Sequence, residues 1–181
     1  VEQRIWMEPN ANTTYVAWRL DAAAGVAQKL PELRVKLLVN TRDHHSASWP
    51  GAFTPQIEAR GTELRVQHSN WFSFYLKARG GELVTDHSWY ENFDLALERE
   101  RGLSDRDAHL CVGEARLTLH PGEWVGVVGS LHEDASVYLG EALGRFTQYD
   151  EGQLRRAKVQ VTELLDAPSW VDQLVLASDS F

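Results

Sequence analysis

The sequence has 181 residues, of which 43% are hydrophobic and 24% charged, and its formal net charge is −8. This size and composition are typical of one soluble globular domain, with or without a small appendage. The negative charge, and the lack of any basic cluster larger than Arg155-Arg156, exclude a general nucleic-acid binder and a protein held to anionic membranes.

Neither a membrane span nor a disulfide is expected. No apolar run approaches the about 20 residues that cross a bilayer, and we expect no signal peptide. Cys111 is the one cysteine, which excludes an internal disulfide and a zinc ribbon and fits a reducing compartment. We therefore expect a cytoplasmic protein. Because Val1 already lies in a strand-like pattern, we also expect the sequence to be a piece of a longer chain.

Residues 1–133 show the alternation that is typical of β-strands. Apolar and polar side chains alternate in four runs, at residues 34–39, 63–67, 72–77 and 116–119. Turn-forming residues separate the runs, at residues 21–25, 60–61, 80–81 and 121–122. Short turns between strands indicate antiparallel pairing. We therefore predict a mainly β domain over residues 1–133, an antiparallel sandwich of two packed sheets.

The period of the apolar side chains changes after Asp134. Residues 136–165 carry them at helical spacing, with Gly152 as a candidate break, and predict a linker helix within residues 134–168. Pro168 ends this helix because proline cannot continue it. Ser169 then resembles an N-cap, with Asp172 at the offset of a capping box.

The last residues, 169–181, predict a second helix with an apolar stripe. The stripe consists of Trp170, Leu174, Ala177 and Phe181, spaced four, three and four residues apart. A lone helix of about a dozen residues is marginal in water. We therefore expect this short helical stub to cover a surface outside the present sequence.

Residues 40–49, NTRDHHSASW, place Asp43, His44 and His45 side by side. Adjacent side chains on an extended chain point to opposite faces, so the two histidines are poorly arranged to share a metal ion. We predict no metal site here. A loop whose polar groups brace the structure or contact a ligand is the favoured interpretation.

Residues 86–100 are rich in acids, but the sequence does not identify a catalytic pair among them. A glycosidase needs two carboxylates about 5 to 10 Å apart, and nothing in the sequence places two acids so. Nucleophile elbows, P-loops and dinucleotide fingerprints are lacking, and the glycine-bearing run 126–130 follows a strand pattern. We therefore predict no cofactor, and we expect these acids to lie on the surface.

Residues 87–103, HSWYENFDLALERERGL, raise a question about function. Trp89, Tyr90, Asn92 and Phe93 stand together just before a run of alternating charges, residues 98–101, which is interpreted as a solvated segment or a short helix. Such a segment suits a sugar-binding surface, an active-site edge or a docking face. Elsewhere the aromatic side chains are scattered. The seven tryptophans, at positions 6, 18, 49, 71, 89, 124 and 170, indicate core packing, with sugar stacking by one or two of them as the alternative.

The order of several motifs resembles the N-terminal domain of bacterial and archaeal-type glycogen debranching enzymes, the amylo-α-1,6-glucosidase family. The motifs are WYENF (89–93), ERERG (98–102), LHPGE (119–123), RIWMEPNANTTYVAWRL (4–20), LLVNTRDHHS (37–46) and WVDQLVLASDSF (170–181). His44 stands where the family usually has an aromatic residue, and an early glycine-rich segment of the family is not found. The resemblance covers nearly the whole sequence.

This resemblance implies a supersandwich-type domain followed by an (α/α)₆ catalytic barrel that hydrolyses α-1,6-linked glucose. Residues 169–181 would be the start of that barrel, so we expect an accessory domain without the catalytic pair. Its partners would be the missing catalytic domain, through the docking stripe Trp170, Leu174 and Phe181, and an α-glucan such as glycogen or limit dextrin. Trp89, Tyr90, Asn92, Phe93, Asp43 and His44 would form the substrate or domain interface.

Two alternatives remain open at this point. The first is an autonomous carbohydrate-binding module, which would expose Trp89 or Tyr90 beside polar groups. The second is a mutarotase-like sugar epimerase, which would bring a histidine and a carboxylate together in a cleft. Its candidates are His44 or His87 with Glu91.

Overall fold

Two antiparallel sheets make up most of the computed structural model, which describes residues 1–21, 29–43, 46–69 and 72–178. The strands are β1 (Glu2–Met7), β2 (Thr13–Arg19), β3 (Glu32–Val39), β4 (Gln56–Arg60), β5 (Glu63–His68), β6 (Phe72–Arg79), β7 (Gly81–Thr85), β8 (Trp89–Asp94), β9 (Arg106–Thr118) and β10 (Trp124–Ser130). The helices are α1 (Ala96–Glu100), α2 (Leu139–Gln160) and α3 (Ser169–Ser178), with a 3₁₀ turn at Thr162–Leu165 between the last two.

Within the described residues, the larger sheet has the strand order β1-β2-β10-β6-β5-β4 and the smaller one has β3-β9-β7, with β8 also paired to β9. In both sheets, each of these strands pairs with its neighbours in antiparallel orientation. The alternating runs of the sequence lie in β3, β5, β6 and β9. Inward side chains such as Leu64 and Val66 of β5 are fully buried, whereas Phe74 and Leu76 of β6 are partly buried. The prediction of an antiparallel β-sandwich is confirmed.

One hydrophobic core lies between the two sheets. It includes Leu64 and Val66 from the larger sheet and Val112, Ala115 and Leu117 from the smaller one. Burying side chains of this size contributes about 1.5 to 3 kcal/mol each before the entropy of ordering the chain is subtracted. The long strand β9 is the centre of the smaller sheet, because β3, β7 and β8 all pair with it. It supplies inward side chains along its length.

A second core lies on the outer face of the larger sheet, beneath α2. Trp6 stacks on Tyr15 with 5.0 Å between ring centroids, and both pack with Val128, Leu139 and Ala142. On β10, Val125 and Val127 face the sandwich core whereas Val128 faces α2, as the period of two requires. The described fold therefore has three layers: small sheet, large sheet and helix α2.

The helical region differs from the sequence prediction in three places. Helix α2 ends at Gln160 and not at Pro168, because Val161 is extended and a 3₁₀ turn occupies Thr162–Leu165. The predicted break at Gly152 is wrong, because α2 runs through Gly152 without interruption from Leu139 to Gln160. A glycine inside a helix costs about 1 kcal/mol, which packing of the helix can outweigh. The third difference is at Asp172, whose carboxylate lies 2.9 Å from Nζ of Lys158 on α2. The expected capping residue Ser169 is itself the first residue of α3.

The predicted turns at residues 60–61, 80–81 and 121–122 all separate neighbouring strands, and each contains a glycine with positive φ. The fourth predicted turn, at residues 21–25, falls mostly outside the described residues.

Candidate functional site

The two sequence segments of interest, residues 40–49 and 89–94, meet at one end of the smaller sheet. Strand β9 brings them together: its first residues, from Arg106 to Leu110, pair with β8 on one side. On the other side, β3 pairs with β9 as far as Val39 opposite Leu110. The chain leaving β3 therefore runs on beside the start of β9. This juxtaposition depends on strand pairing and not on nearness in sequence.

A β-bulge interrupts the pairing of β8 with β9. Tyr90 lies opposite His109 and Phe93 lies opposite Asp107, so two residues of β8, Glu91 and Asn92, oppose the single residue between them on β9. Asn92 adopts a φ of 63°, a conformation that asparagine tolerates better than most residues. Bulges redirect side chains and are frequent near functional sites. Here the bulge leaves both side chains exposed to solvent.

The carboxylate of Asp107 fixes the loop that follows β3. Its side chain is only 1% exposed, and Oδ1 accepts hydrogen bonds from the backbone N–H groups of Ser48 at 2.7 Å and Ala108 at 3.0 Å. Nε of Arg42 lies 3.1 Å from Oδ2, and Asn40 donates two longer bonds of 3.4 Å. Asp107 is therefore the anchor of Asn40, Arg42 and Ser48.

The same contacts determine how Asp107 titrates. Burial by itself raises the pKa of the Asp107 carboxyl. The two backbone N–H donors and the positive charge of Arg42 outweigh burial, and they hold this pKa below its ordinary value of 3.8. Asp107 is therefore a permanently ionised structural group near neutral pH. A general acid needs the opposite arrangement, with a raised pKa.

Residues 49–52, Trp-Pro-Gly-Ala, form a tight turn next to this anchor. The N–H of Ala52 donates to the carbonyl of Trp49 at 2.9 Å, and Gly51 has a φ of 84°. Proline at the second position and a positive-φ glycine at the third are the residues that a type II turn requires. The backbone of Trp49 is thus held by a rigid turn on one side and by the Ser48–Asp107 hydrogen bond on the other.

A groove of about 260 Å³ opens beside the turn. We call it the Trp49 groove, and its lining includes Ser48, Trp49, Glu91, Asn92, Arg106 and Asp107. The Trp49 side chain is 64% exposed, and Glu91 and Asn92 come from the bulge of β8. An aromatic face, a carboxylate, an amide and a guanidinium therefore border one small opening.

The side chains that the sequence singled out contribute unequally to this end of the sheet. Trp89 is half-buried and packs edge-on against Phe53, with ring centroids 5.6 Å apart, as part of the sandwich core. Tyr90 is also half-buried, and its ring lies 4.9 Å from Nζ of Lys36. Phe93 packs edge-on against His109 at 4.6 Å. Much of each ring is therefore engaged inside the chain.

The segment that contains Asp43 is held by its backbone. Arg42 donates to the carbonyl oxygens of Asp43 at 3.3 Å and Ser46 at 2.7 Å, and the Asp43 side chain is exposed. His44 lies outside the described residues. Of the other candidates for sugar epimerisation, Glu91 borders the Trp49 groove, and His87 lies exposed in the connection before β8.

Residues 94–106 connect β8 to β9 through a loop in which charged side chains pair with one another. The N–H of Leu95 donates to the carbonyl of Asp105 at 2.9 Å, which closes the loop. Inside it, Arg99 forms ion pairs with both Asp94 and Asp105. The charged run ends in the short helix α1, as the sequence predicted. Leu97 on this helix stays exposed.

Helix α3 presents a second candidate surface. Val171, Val175 and Leu176 are half-buried, and α3 packs against α2. The predicted stripe is on the open side: Trp170 is 62% exposed and Leu174 is 59% exposed. Phe181, the last member of the stripe, lies outside the described residues. The described part of this stripe is not covered by the sandwich.

Sequence reasoning missed Trp49 and Asp107 as members of the site. The signal for Trp49 was the Trp-Pro-Gly sequence, since this order predicts a turn that displays the preceding aromatic residue. No local signal marked Asp107, whose partners lie about 60 residues earlier in the chain and are brought to it by sheet pairing.

The described residues provide neither a metal-binding cluster nor a membrane-spanning helix. Outside the undescribed stretches 22–28, 44–45, 70–71 and 179–181, no group of three or more His, Cys, Asp or Glu side chains is arranged to hold a metal ion. Among the helices of the described part, none has the length and apolarity needed to cross a bilayer.

Comparison with known proteins places most of the sandwich in one family. The family described as "Glycogen debranching enzyme N terminal" matches residues 1–126, which extend from β1 into β10. Neither the curated proteins nor the solved structures contain a match. The family match covers well over half of the sequence and agrees with the resemblance carried by its motifs. The chain belongs to the glycogen debranching enzyme N-terminal domain family.

Proposed function

We propose that this chain is the non-catalytic accessory domain of a glycogen debranching enzyme. The enzyme would be an amylo-α-1,6-glucosidase, a glycoside hydrolase of cytoplasmic glycogen catabolism, and its catalytic barrel would follow this chain. In this proposal residues 1–133 are the accessory sandwich, residues 134–168 the linker, and residues 169–181 the beginning of the barrel. The domain would support the barrel and border its α-glucan site.

The observation that carries the proposal is the uncovered face of α3. Trp170 and Leu174 stand on one helix, four residues apart, and each exposes more than half of its side chain. Large apolar side chains clustered in this way mark an interaction surface more often than a chance exposure. The helix lies beyond the region that the family match covers, where the resemblance expects the catalytic domain to begin.

The chemistry of the buried acid also supports a non-catalytic role. Asp107 is the buried carboxylate within the described residues, and its hydrogen bonds keep its pKa low. Hydrolysis of a glycosidic bond requires a proton donor with a raised pKa beside a second carboxylate. Asp107 lacks the raised pKa that a proton donor needs, although Glu91 borders the same groove. We expect the purified chain to release no glucose from a limit dextrin, and release of glucose would overturn the proposal.

A second docking surface is proposed at residues 87–103. This segment carries the exposed side chain of Leu97, and its charges are paired within the loop. A loop with internal ion pairs keeps its conformation without a partner. It can therefore serve as a preorganised docking surface for the barrel. Substitutions in α3 and in α1 test the two surfaces separately.

The test uses the full-length protein with single substitutions. Leu174→Ser and Trp170→Ser should split its thermal unfolding into two transitions and reduce glucose release from limit dextrin. The same changes in the isolated chain should alter its unfolding little, since both side chains are already exposed. Leu97→Ser tests residues 87–103 in the same way. Ile5→Ser, at an exposed apolar position on β1, is the matched control. Unchanged unfolding and activity in both α3 variants would contradict the docking role.

One observation favours a second function, the autonomous carbohydrate-binding module. Trp49 is exposed in a fixed loop beside polar side chains, which is the arrangement that such modules need. This function does not require the catalytic barrel. Retardation of the isolated chain in a glycogen-containing gel would support it.

A further inference from the structure

We infer that the Trp49 groove is a binding site for a single glucosyl unit of an α-glucan, with the Trp49 indole as its stacking platform. This inference rests on the proposed function, because it names the ligand and the residues by which the domain would border the glucan.

The backbone that carries the Trp49 indole is preorganised in the absence of a ligand. The turn at residues 49–52 and the Ser48–Asp107 hydrogen bond fix the backbone on both sides of the indole. A pyranose ring has an apolar face of C–H groups, which packs on an aromatic face, while its hydroxyls point outward to polar groups. Preorganisation lowers the entropy lost on binding. An exposed indole in a rigid turn therefore suits a weakly binding sugar.

Several other aromatic rings of the described chain already contact a cation or another ring, whereas Trp170 on α3 is exposed as well but does not line the Trp49 groove. The Trp124 ring lies 4.6 Å from the Arg19 guanidinium, and the Tyr138 ring lies 5.8 Å from that of Arg79. Trp89 packs in the core against Phe53. Among the described residues, by contrast, no aromatic ring or cation lies over Trp49. This indole is therefore free to receive a ligand.

A buried hydroxyl beside Trp49 points to a polar ligand. Ser48 is 5% exposed and lines the groove, yet its Oγ has no hydrogen-bond partner within the described part of the chain. Leaving such a group unsatisfied costs about 1 to 3 kcal/mol. A sugar hydroxyl can both donate to and accept from a serine Oγ. Rotation of the Ser48 side chain toward the groove would let a sugar hydroxyl remove this cost.

The rim of the groove supplies further partners for hydroxyls. The bulge of β8 exposes the carboxylate of Glu91 and the amide of Asn92, and Arg106 adds a guanidinium from the start of β9. Planar groups of these three kinds bind vicinal hydroxyls through paired hydrogen bonds. The volume of about 260 Å³ falls below the roughly 300 Å³ at which pockets for larger ligands begin. The groove thus fits a single sugar unit and not a long segment.

The test is an NMR titration of the 181-residue chain with maltotriose. The indole N–H signal of Trp49, identified by its loss in Trp49→Phe, should shift as maltotriose is added. Trp49→Ala should weaken binding about tenfold or more, as loss of a central aromatic contact does, and Ser48→Ala should weaken it less. Trp170→Ala should bind as the unsubstituted chain does. Backbone spectra of each variant verify that it folds.

The outcomes separate this inference from the proposed function. If maltotriose shifts other indole signals and Trp49→Ala binds unchanged, the site lies elsewhere and the inference is wrong, while a glucan-bordering domain remains. If no signal shifts at high maltotriose concentration, the inference fails, and the docking role is judged by the α3 variants alone. An equal response to cellotriose would overturn the assignment to α-glucans. If Trp49→Ala instead weakens assembly with the catalytic domain, this surface is a docking face.

Discussion

The backbone N–H of Ser48 donates a 2.7 Å hydrogen bond to the carboxylate of Asp107, 59 residues further along the chain. This contact joins the loop after β3 to the first residues of strand β9. It also places Trp49 beside the bulge of β8. The polar end of the smaller sheet therefore depends on one buried charge.

Replacement of Asp107 should destabilise the fold and release this loop. Asp107→Asn keeps the shape and one acceptor oxygen for the two N–H groups, but it removes the charge that faces Arg42 and places an NH₂ donor against the guanidinium. We expect the free energy of unfolding to fall by about 2 to 4 kcal/mol, the range for disrupting a buried hydrogen-bonded charge. Urea denaturation measures this change. Asp105→Asn, at an exposed ion pair with Arg99, is the control, and an equal loss there would contradict the anchoring role.

Stability should also decrease in acid, and part of the decrease should belong to Asp107. Its pKa in the folded chain lies below the ordinary value of 3.8, so its contribution is complete above that value and is lost as pH falls through the folded pKa. Other carboxylates with lowered pKa, such as Glu8, add to the decrease. Urea denaturation at pH 7 and pH 3 should therefore show a smaller difference for Asp107→Asn. The same difference as in the unsubstituted chain would exclude this contribution.

Tyr15 should titrate unusually late. Burial and the hydrogen bond that its hydroxyl donates to Glu8, 3.0 Å long, raise the pKa of Tyr15 to about 12. An unfolded chain would lose this proton near pH 10, so the stability that Tyr15 contributes is present below pH 10 and is lost as pH rises toward 12. Absorbance at the wavelength of tyrosinate should show a late-titrating group that is lost in Tyr15→Phe. Titration of every tyrosine near pH 10 in the folded chain would contradict this.

Gly126 should not accept a side chain, because the backbone of β2 lies very close to it and Leu139 of α2 lies nearby. A Cβ at this position would stand 2.4 Å from the carbonyl oxygen of Val16 and 3.1 Å from Cδ1 of Leu139. The backbone oxygen cannot yield easily, so Gly126→Ala should cost about 1 to 3 kcal/mol or more. Gly129→Ala on the same strand is the matched control, since its Cβ would meet only Leu76, at 3.6 Å. Thermal unfolding compares the two, and equal stabilities would show that the backbone of β2 does not restrict the space at Gly126.

The sequence predicts the strands and helices of this fold better than it predicts the contacts between residues distant in sequence. Alternation in runs such as 63–67 reports burial on one face, so β5 and its neighbours could be recognised locally. The helical break at Gly152 was wrong because tertiary packing overrides a local propensity. The role of Asp107 was missed because its partners Ser48 and Arg42 are distant in sequence. Only the pairing of β3 with β9 brings them to its carboxylate.

The exposed state of Trp170 provides the most direct test of the account. Oxidative footprinting should be carried out on the isolated chain and on the full-length protein, with the modification of each tryptophan measured by mass spectrometry. We predict that Trp170 is readily oxidised in the isolated chain and protected in the full-length protein, while the buried Trp6 is protected in both. Equal oxidation of Trp170 in the two proteins would contradict the claim that α3 is covered by the catalytic domain.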